Sequence, residues 1–258
     1  MDIGIIASLI FSFAMLIVAY ILEDGVLSAL VQPTAAMIVF GGTIGVIGAS
    51  FPISQIKRIP KIFKIAFASK QQNREEIVKL FTELSTSTRK NGLLSLETEI
   101  QKGTFDKFMA QGLQMVVDGI EPETVEKTLE TKLENMSERH SKGAEIFSAA
   151  GGYSPTLGII GTVFGLVSVL GNLSEPDTLG PKIATAFIAT LYGIGAANLI
   201  WLPIANRLKS IDADEMLTKI MILDGILMIQ GGSNPRLIEE KLKGYLDHEV
   251  EEETRSGE

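Results

Sequence analysis

Hydrophobic and polar positions fall into long blocks along this chain. Four stretches, approximately 3–22, 29–51, 146–170 and 183–204, contain no Asp, Glu, Lys, Arg or His. Each has about the roughly 20 residues that a helix needs to cross the hydrocarbon core of a bilayer. A charge at the centre of such a span costs at least about 2.5–3.5 kcal/mol, so the charge-free blocks predict four transmembrane helices. The first block follows Met1 and Asp2 with no basic residue before it and is longer than the apolar core of a signal peptide, which reads as a retained span.

Between and after the spans the pattern changes to one-sided helical spacing. In 53–67, Ile53, Ile56, Ile59, Phe63 and Phe67 recur on one face with basic residues between them, and Pro60 must kink or divide the helix. That segment suits either anionic headgroups or a basic stop-transfer flank. Asn73 with Glu76 gives a capping signal before Ile77, Leu80, Phe81 and Leu84, predicting a helix near 74–90. Phe105, Phe108, Met109, Leu113 and Val116 predict another over about 104–118, ended by Gly119. Pro122 then suits a first helical position, and with only Gly143 as a breaker the helix through Val125, Leu129, Leu133 and Met136 is expected to run into the third span. Leu208, Ile211, Leu217, Ile220 and Met221 continue the fourth span, and Asn234-Pro235 opens a last helix. With no strand-like alternation of any length, the fold class is all-α: a polytopic membrane protein with four transmembrane helices and a helical cytoplasmic domain.

The resulting organisation is 1–51, two spans with a short external turn; 52–145, a cytoplasmic helical loop domain; 146–204, the third and fourth spans; and 205–258, a helical tail with a disordered acidic end. Basic residues set the orientation. Lys57, Arg58, Lys61, Lys64 and Lys70 follow the second span, Lys127, Lys132, Arg139 and Lys142 precede the third, and Arg207 and Lys209 follow the fourth. The turn EDGVLS has no basic residue and NLSEPDTLGPK only Lys182. Both termini are therefore expected in the cytoplasm.

Composition removes other classes. There is no cysteine, which excludes disulfides and thiolate metal sites. His140 and His248 lie in polar segments without ligand spacing and are expected in solvent; no metal site, cofactor or enzyme activity is expected. Net charge −8 argues against nucleic acid.

The third block is unusual for its apolarity. YSPTLGIIGTVFGLVSVL, 153–170, places glycine, proline and threonine where a buried helix in a soluble protein would favour leucine and alanine. In lipid, helices associate by close packing, and small residues permit it. Gly158, Gly161, Gly165 and Ser168 share one face of the third span; Ala186, Ala189, Gly193 and Ala197 share one face of the fourth. These faces either pack the two spans together and nothing more, or support a function beside them. Pro155 frees a helix carbonyl that neighbours must satisfy. Thr156 follows it, and Phe187, Thr190, Ile194 and Asn198 form a second stripe. The hydroxyls either bond their own helix backbone or line a polar pathway.

PTLGIIGTVFG (155–165), ATAFIATLYGIGAANLIWLP (184–203) and the loop segment RKNGLLSLE (89–97) together resemble the MotA family of bacterial flagellar stator proteins, within the MotA/TolQ/ExbB proton channel family. The likeness covers nearly the whole chain. It implies a stator subunit forming a pentameric ring around a dimer of MotB, a single-span protein that carries an ionisable aspartate. It further implies that Pro155, Thr156, Phe187 and Thr190 line the face turned to that aspartate, that Pro203 is a second proline involved in coupling, and that Arg89 and Glu97 engage the rotor protein FliG. The translocated ion would be H⁺ or Na⁺, in a bacterial cytoplasmic membrane. The rival readings are an ExbB- or TolQ-like energy-transducing subunit, whose relatives usually have three spans, and a membrane scaffold that conducts nothing.

Overall fold

A computed structural model describes residues 3–68, 73–174 and 176–246. Among these residues every regular element is helical. The acidic end at 247–258, with His248, and Lys70 lie outside them.

The first span is α1 (Ile3–Leu22). The second begins later than its apolar block. Pro33 takes the first helical position, and Gln32 before it is extended, at φ −123° and ψ 99°, as a residue preceding proline must be. Leu27–Leu30 forms a separate 3₁₀ turn. Helix α2 (33–50) then runs through Pro33–Ala36, a π-helical turn Met37–Gly41 and Gly42–Ser50. The basic segment is divided as its proline demands, into α3 (Ile53–Ile56) and α4 (Ile59–Ala68), with Pro60 in the first turn of α4, where its missing N–H costs nothing.

Helix α5 (Arg74–Asn91) is capped by Asn73, whose side-chain oxygen accepts from Glu75 N–H. Gly92 ends it at φ +78°, a conformation that glycine adopts without strain. A short α6 (Ser95–Gln101) follows; its seven residues are too few to show a periodicity. Helix α7 (Lys107–Val117) starts at Asp106, whose carboxylate accepts from Phe108 and Met109 N–H, and so begins three residues after the expected position. Helix α8 (Pro122–Leu170) is unbroken through Gly143 and Pro155. Helix α9 comprises Pro176–Ala196, a π-helical turn Ala197–Trp201 and Leu202–Gln230. It starts before the expected 183 and contains Pro181, so the connection between the third and fourth spans is shorter than its sequence suggests. Helix α10 (Pro235–Lys243) is capped by Asn234. Three of these helices, and the shorter α1, are apolar and long enough to account for four spans.

The described residues divide into two compact units. One lies within Met1–Ser69 and His140–Ile211, the other within Lys70–Arg139 and Asp212–Glu258. The first holds the spans. There Ala66 of α4, Ala144 and Phe147 of α8, and Ile204, Ala205 and Leu208 of α9 form one buried cluster, and Ile47, Ile146 and Ala150 form another. Large apolar side chains such as Phe11, Leu16, Phe164 and Phe187 remain exposed on it, as expected where the solvent is lipid or another membrane helix. His140, expected in solvent, is half-buried.

The second unit has the core of a water-soluble domain. Phe81, Leu96, Leu113, Leu129, Ile226 and Leu242, one from each of α5 to α10, are at most 1% exposed, and burying each side chain is worth about 1.5–3 kcal/mol. Buried charges within it are paired. Arg74 reaches Asp214 and the Thr218 hydroxyl. Lys219 contacts Asp106 at 2.9 Å and lies 5.6 Å from the Phe108 ring centroid.

Candidate functional site

The third and fourth spans meet along a seam of small residues. A Cβ on Gly158 would lie 2.8 Å from the Ala189 carbonyl oxygen, one on Gly161 2.6 Å from Ala189 Cβ, and one on Gly165 2.5 Å from Ala186 Cβ. From the other side, a Cβ on Gly193 would come 2.5 Å from the Ser154 carbonyl oxygen and 3.1 Å from Pro155 Cα. The obstacles at Gly158 and Gly193 are backbone atoms that cannot swing aside. Ala186, Ala189 and Ala197 are each at most 2% exposed. Ser168 is exposed and takes no part in the seam.

Two threonines cross this seam. Thr162 Oγ1 lies within hydrogen-bond reach of the Gly158 carbonyl (3.1 Å), the Ala186 carbonyl (3.0 Å) and the Thr190 hydroxyl. Every proton finds an acceptor when Thr162 donates to a carbonyl and Thr190 donates to Thr162. Thr190 Oγ1 then keeps its lone pairs as acceptors. Thr190 is half-buried. Thr190 lies on the stripe that the sequence singles out, whereas nothing in the spacing of the third span distinguishes Thr162.

Around Pro155 the polar groups are arranged in order. Ser154 is fully buried; its hydroxyl donates to the Ala150 carbonyl (2.8 Å) and lies 3.1 Å from the Thr43 hydroxyl of α2. Thr156 is exposed and its hydroxyl donates to the Tyr153 carbonyl (2.7 Å). Pro155 is half-buried against Gly193. Phe187 is 64% exposed and Asn198 donates to the Ile194 carbonyl. The structure thus brings Pro155 and Thr190 onto the seam. Thr156 and Phe187 stand in the open, and Pro203 is 13 residues beyond Thr190, roughly 20 Å along α9. There it lines a groove of about 460 Å³ with Ser8, Ser12, Asn198 and Arg207. Beside Gly193, the Tyr192 hydroxyl donates to the Leu30 carbonyl and accepts from Gln32 N–H, a tie that the pattern of the sequence did not reveal.

The chemistry available at the seam is narrow. No carboxylate, amine or imidazole occurs in 146–170 or 183–204, and the polar groups at the Thr162–Thr190 contact are hydroxyls and backbone carbonyls. They can accept hydrogen bonds or coordinate a cation, but cannot by themselves exchange a proton near neutral pH.

In the other unit, Arg89 lies in the last turn of α5 and Glu97 in the first turn of α6. Both are exposed. Each sits at the helix end whose dipole favours its sign, with Gly92 between them.

Four apolar helices, a hydroxyl-bearing small-residue seam and a second helical unit with its own core define a polytopic helical membrane protein. The chain belongs to the MotA/TolQ/ExbB proton channel family: that family's model matches residues 100–221, and the motility protein A N-terminal model matches 4–92. It is 38% identical to motility protein A of Bacillus subtilis, over 95% of this chain and 91% of that one. It is 36% identical to chemotaxis protein PomA of Vibrio alginolyticus, over 96% of each. Among solved structures, the flagellar MotAB stator complex from Bacillus subtilis matches with a TM-score of 0.91 at 36% identity, covering 98% of both chains.

Proposed function

We propose that this chain is a stator subunit of the bacterial flagellar motor. With a MotB-like single-span partner it couples the flow of a cation, H⁺ or Na⁺, to torque on the rotor. The observation that carries this reading is the pairing of the Thr162–Thr190 seam with spans that own no carboxylate, amine or imidazole. A proton needs a titratable group on its way through hydrocarbon, and a metal cation is best neutralised by a carboxylate; here another chain must bring that group. The names of the relatives, motility protein A and chemotaxis protein PomA, and the stator complexes of like structure support the same reading.

An ion descending the membrane potential releases about 2.3 kcal/mol per charge per 100 mV. Neutralised, the partner's aspartate can enter the face that carries Pro155, Thr156, Phe187 and Thr190; ionised, it is expelled toward water. In a ring with more subunits than the inner dimer has aspartates, each such event advances the ring by one position. Arg89 and Glu97 carry the step to FliG, where complementary charges set register more than affinity. Nothing is made or broken covalently, so the chain is no enzyme, and it needs no cofactor. The basic residues after the second span, before the third and after the fourth support a bacterial inner-membrane protein with both termini on the cytoplasmic side.

The test is complementation. Cells lacking their own stator subunit, given this chain with its partner, are expected to regain flagellar rotation. A membrane-inserted complex of the two proteins that leaves the flagella still would overturn the proposal.

A further inference from the structure

We infer that the first unit carries a binding site for an anionic phospholipid, with an acyl chain along α1 and the headgroup on the basic face of α4. A groove of about 670 Å³ runs along α1, lined by Ile6, Ile10, Phe13, Ala14 and Ile17 and closed by Phe67 of α4. Spacings of three and four put those α1 residues on one helix face. Ile10 and Phe13 are 63% and 45% exposed, so the groove is open along its length, and all its walls are apolar.

Charge identifies the occupant. Helix α4 is anchored on its other side, where Ile59, Ile62 and Ala66 pack into the cluster with Ala144, Phe147 and Ala205. This leaves Lys57, Arg58, Lys61 and Lys64 exposed. No acidic residue occurs between Asp24 and Glu75, so nothing within the segment neutralises them. Lys64 stands three residues before Phe67, one turn away on the same helix. The Phe63 ring meets that of Phe67 at a tilt of 43°, 4.9 Å between centroids, and widens the apolar wall on the lysine-bearing helix. An apolar groove closed by Phe67, with Lys64 one turn away on the same helix and no acid in the segment, matches a lipid of one negative charge: the chain lies in the groove and the phosphate meets ammonium groups at the interface. A zwitterionic lipid would fill the same groove without that gain. A second copy meeting the groove by this same face would bring the same four positive charges to it, which disfavours that contact as occupant.

The experiment uses the chain purified with its partner in detergent, stripped of lipid and offered equimolar phosphatidylglycerol and phosphatidylcholine, with bound lipid counted by native mass spectrometry. Phosphatidylglycerol is expected to be retained at least roughly tenfold over phosphatidylcholine. Lys61→Gln and Lys64→Gln, at exposed positions, should each cut that preference about fivefold. Ala14→Trp, which fills the groove, should release both lipids. Equal retention of the two lipids, or a preference unmoved by the lysine changes, would overturn the inference. So would efficient disulfide formation between copies carrying Ala14→Cys, a clean probe in a chain without cysteine, since that would make a second copy the occupant. If Ala14→Trp does not accumulate, the wild-type competition and the two lysine variants decide the question.

Discussion

Thr162 of α8 and Thr190 of α9 hydrogen-bond to each other across the seam between the third and fourth spans. Thr162 can pass its own proton to a helix carbonyl, so Thr190 is held as a donor inward and remains an acceptor outward. A hydroxyl fixed in this way costs little reorganisation when a cation or a protonated acid arrives.

Thr190→Val keeps the shape and removes the acceptor. Cation flux through the assembled complex is expected to fall about tenfold, the effect of ~1.4 kcal/mol on a barrier, with assembly intact. Flux assays on vesicles, beside gel filtration of the same complex, check both halves. Unchanged flux would remove this hydroxyl from the pathway.

The seam itself has no room. Gly193→Ala would push a methyl to 2.5 Å from the Ser154 carbonyl oxygen, and such overpacking costs about 1–3 kcal/mol. A Cβ at Gly152 meets nothing within 4 Å. Thermal unfolding in detergent should show Gly193→Ala clearly destabilised and Gly152→Ala close to wild type.

Arg89 and Glu97 are exposed at helix ends and take no part in the seam. Arg89→Glu should impair motility while leaving folding and the ion conduction of an activated complex intact. An equal fall in conduction would show that Arg89 does not act at the rotor.

Lys219 is 5% exposed and its partner Asp106 also caps α7. Asp106→Ala removes the cap and strands the buried ammonium, for a loss of about 3 kcal/mol, at the low end of such losses because Asp106 is itself partly exposed. Lys219→Met, which removes the buried charge along with the pair, should cost less. The order of the two unfolding midpoints is the check.

Tyr245 donates to Asp224 at 2.8 Å. Burial first, then that bond and the nearby carboxylate charge, push its phenol up to about 12. A phenol raised in the folded state adds stability that is fully present below its ordinary value near 10 and is lost as pH rises through about 12. Tyr245→Phe should therefore be less stable than wild type at neutral pH, with the difference closing between pH 10 and 12 in paired melting curves.

The spans were legible because the exclusion of charge from lipid leaves a long, unambiguous block, and the caps at Asn73, Pro122 and Asn234 because each has a local mechanism. Boundaries moved where local chemistry overrode the pattern. Pro33 delayed the second span, and Asp106 set the start of α7 against apolar Phe105. Long-range pairings had no sequence signal. Arg74 finds Thr218 across 144 positions, and in sequence it reads like any surface arginine at a helix start. The small-residue faces were readable as spacing, while the part taken by Thr162 depends on which helix lies opposite, which no single segment records.

The four charge-free blocks contain no acid of their own. Cation flux into vesicles should be measured for this chain alone and for this chain reconstituted with a single-span partner carrying an ionisable aspartate. Flux is expected only with the partner, and should vanish when that aspartate is replaced by asparagine. Equal flux from the chain alone would contradict the account.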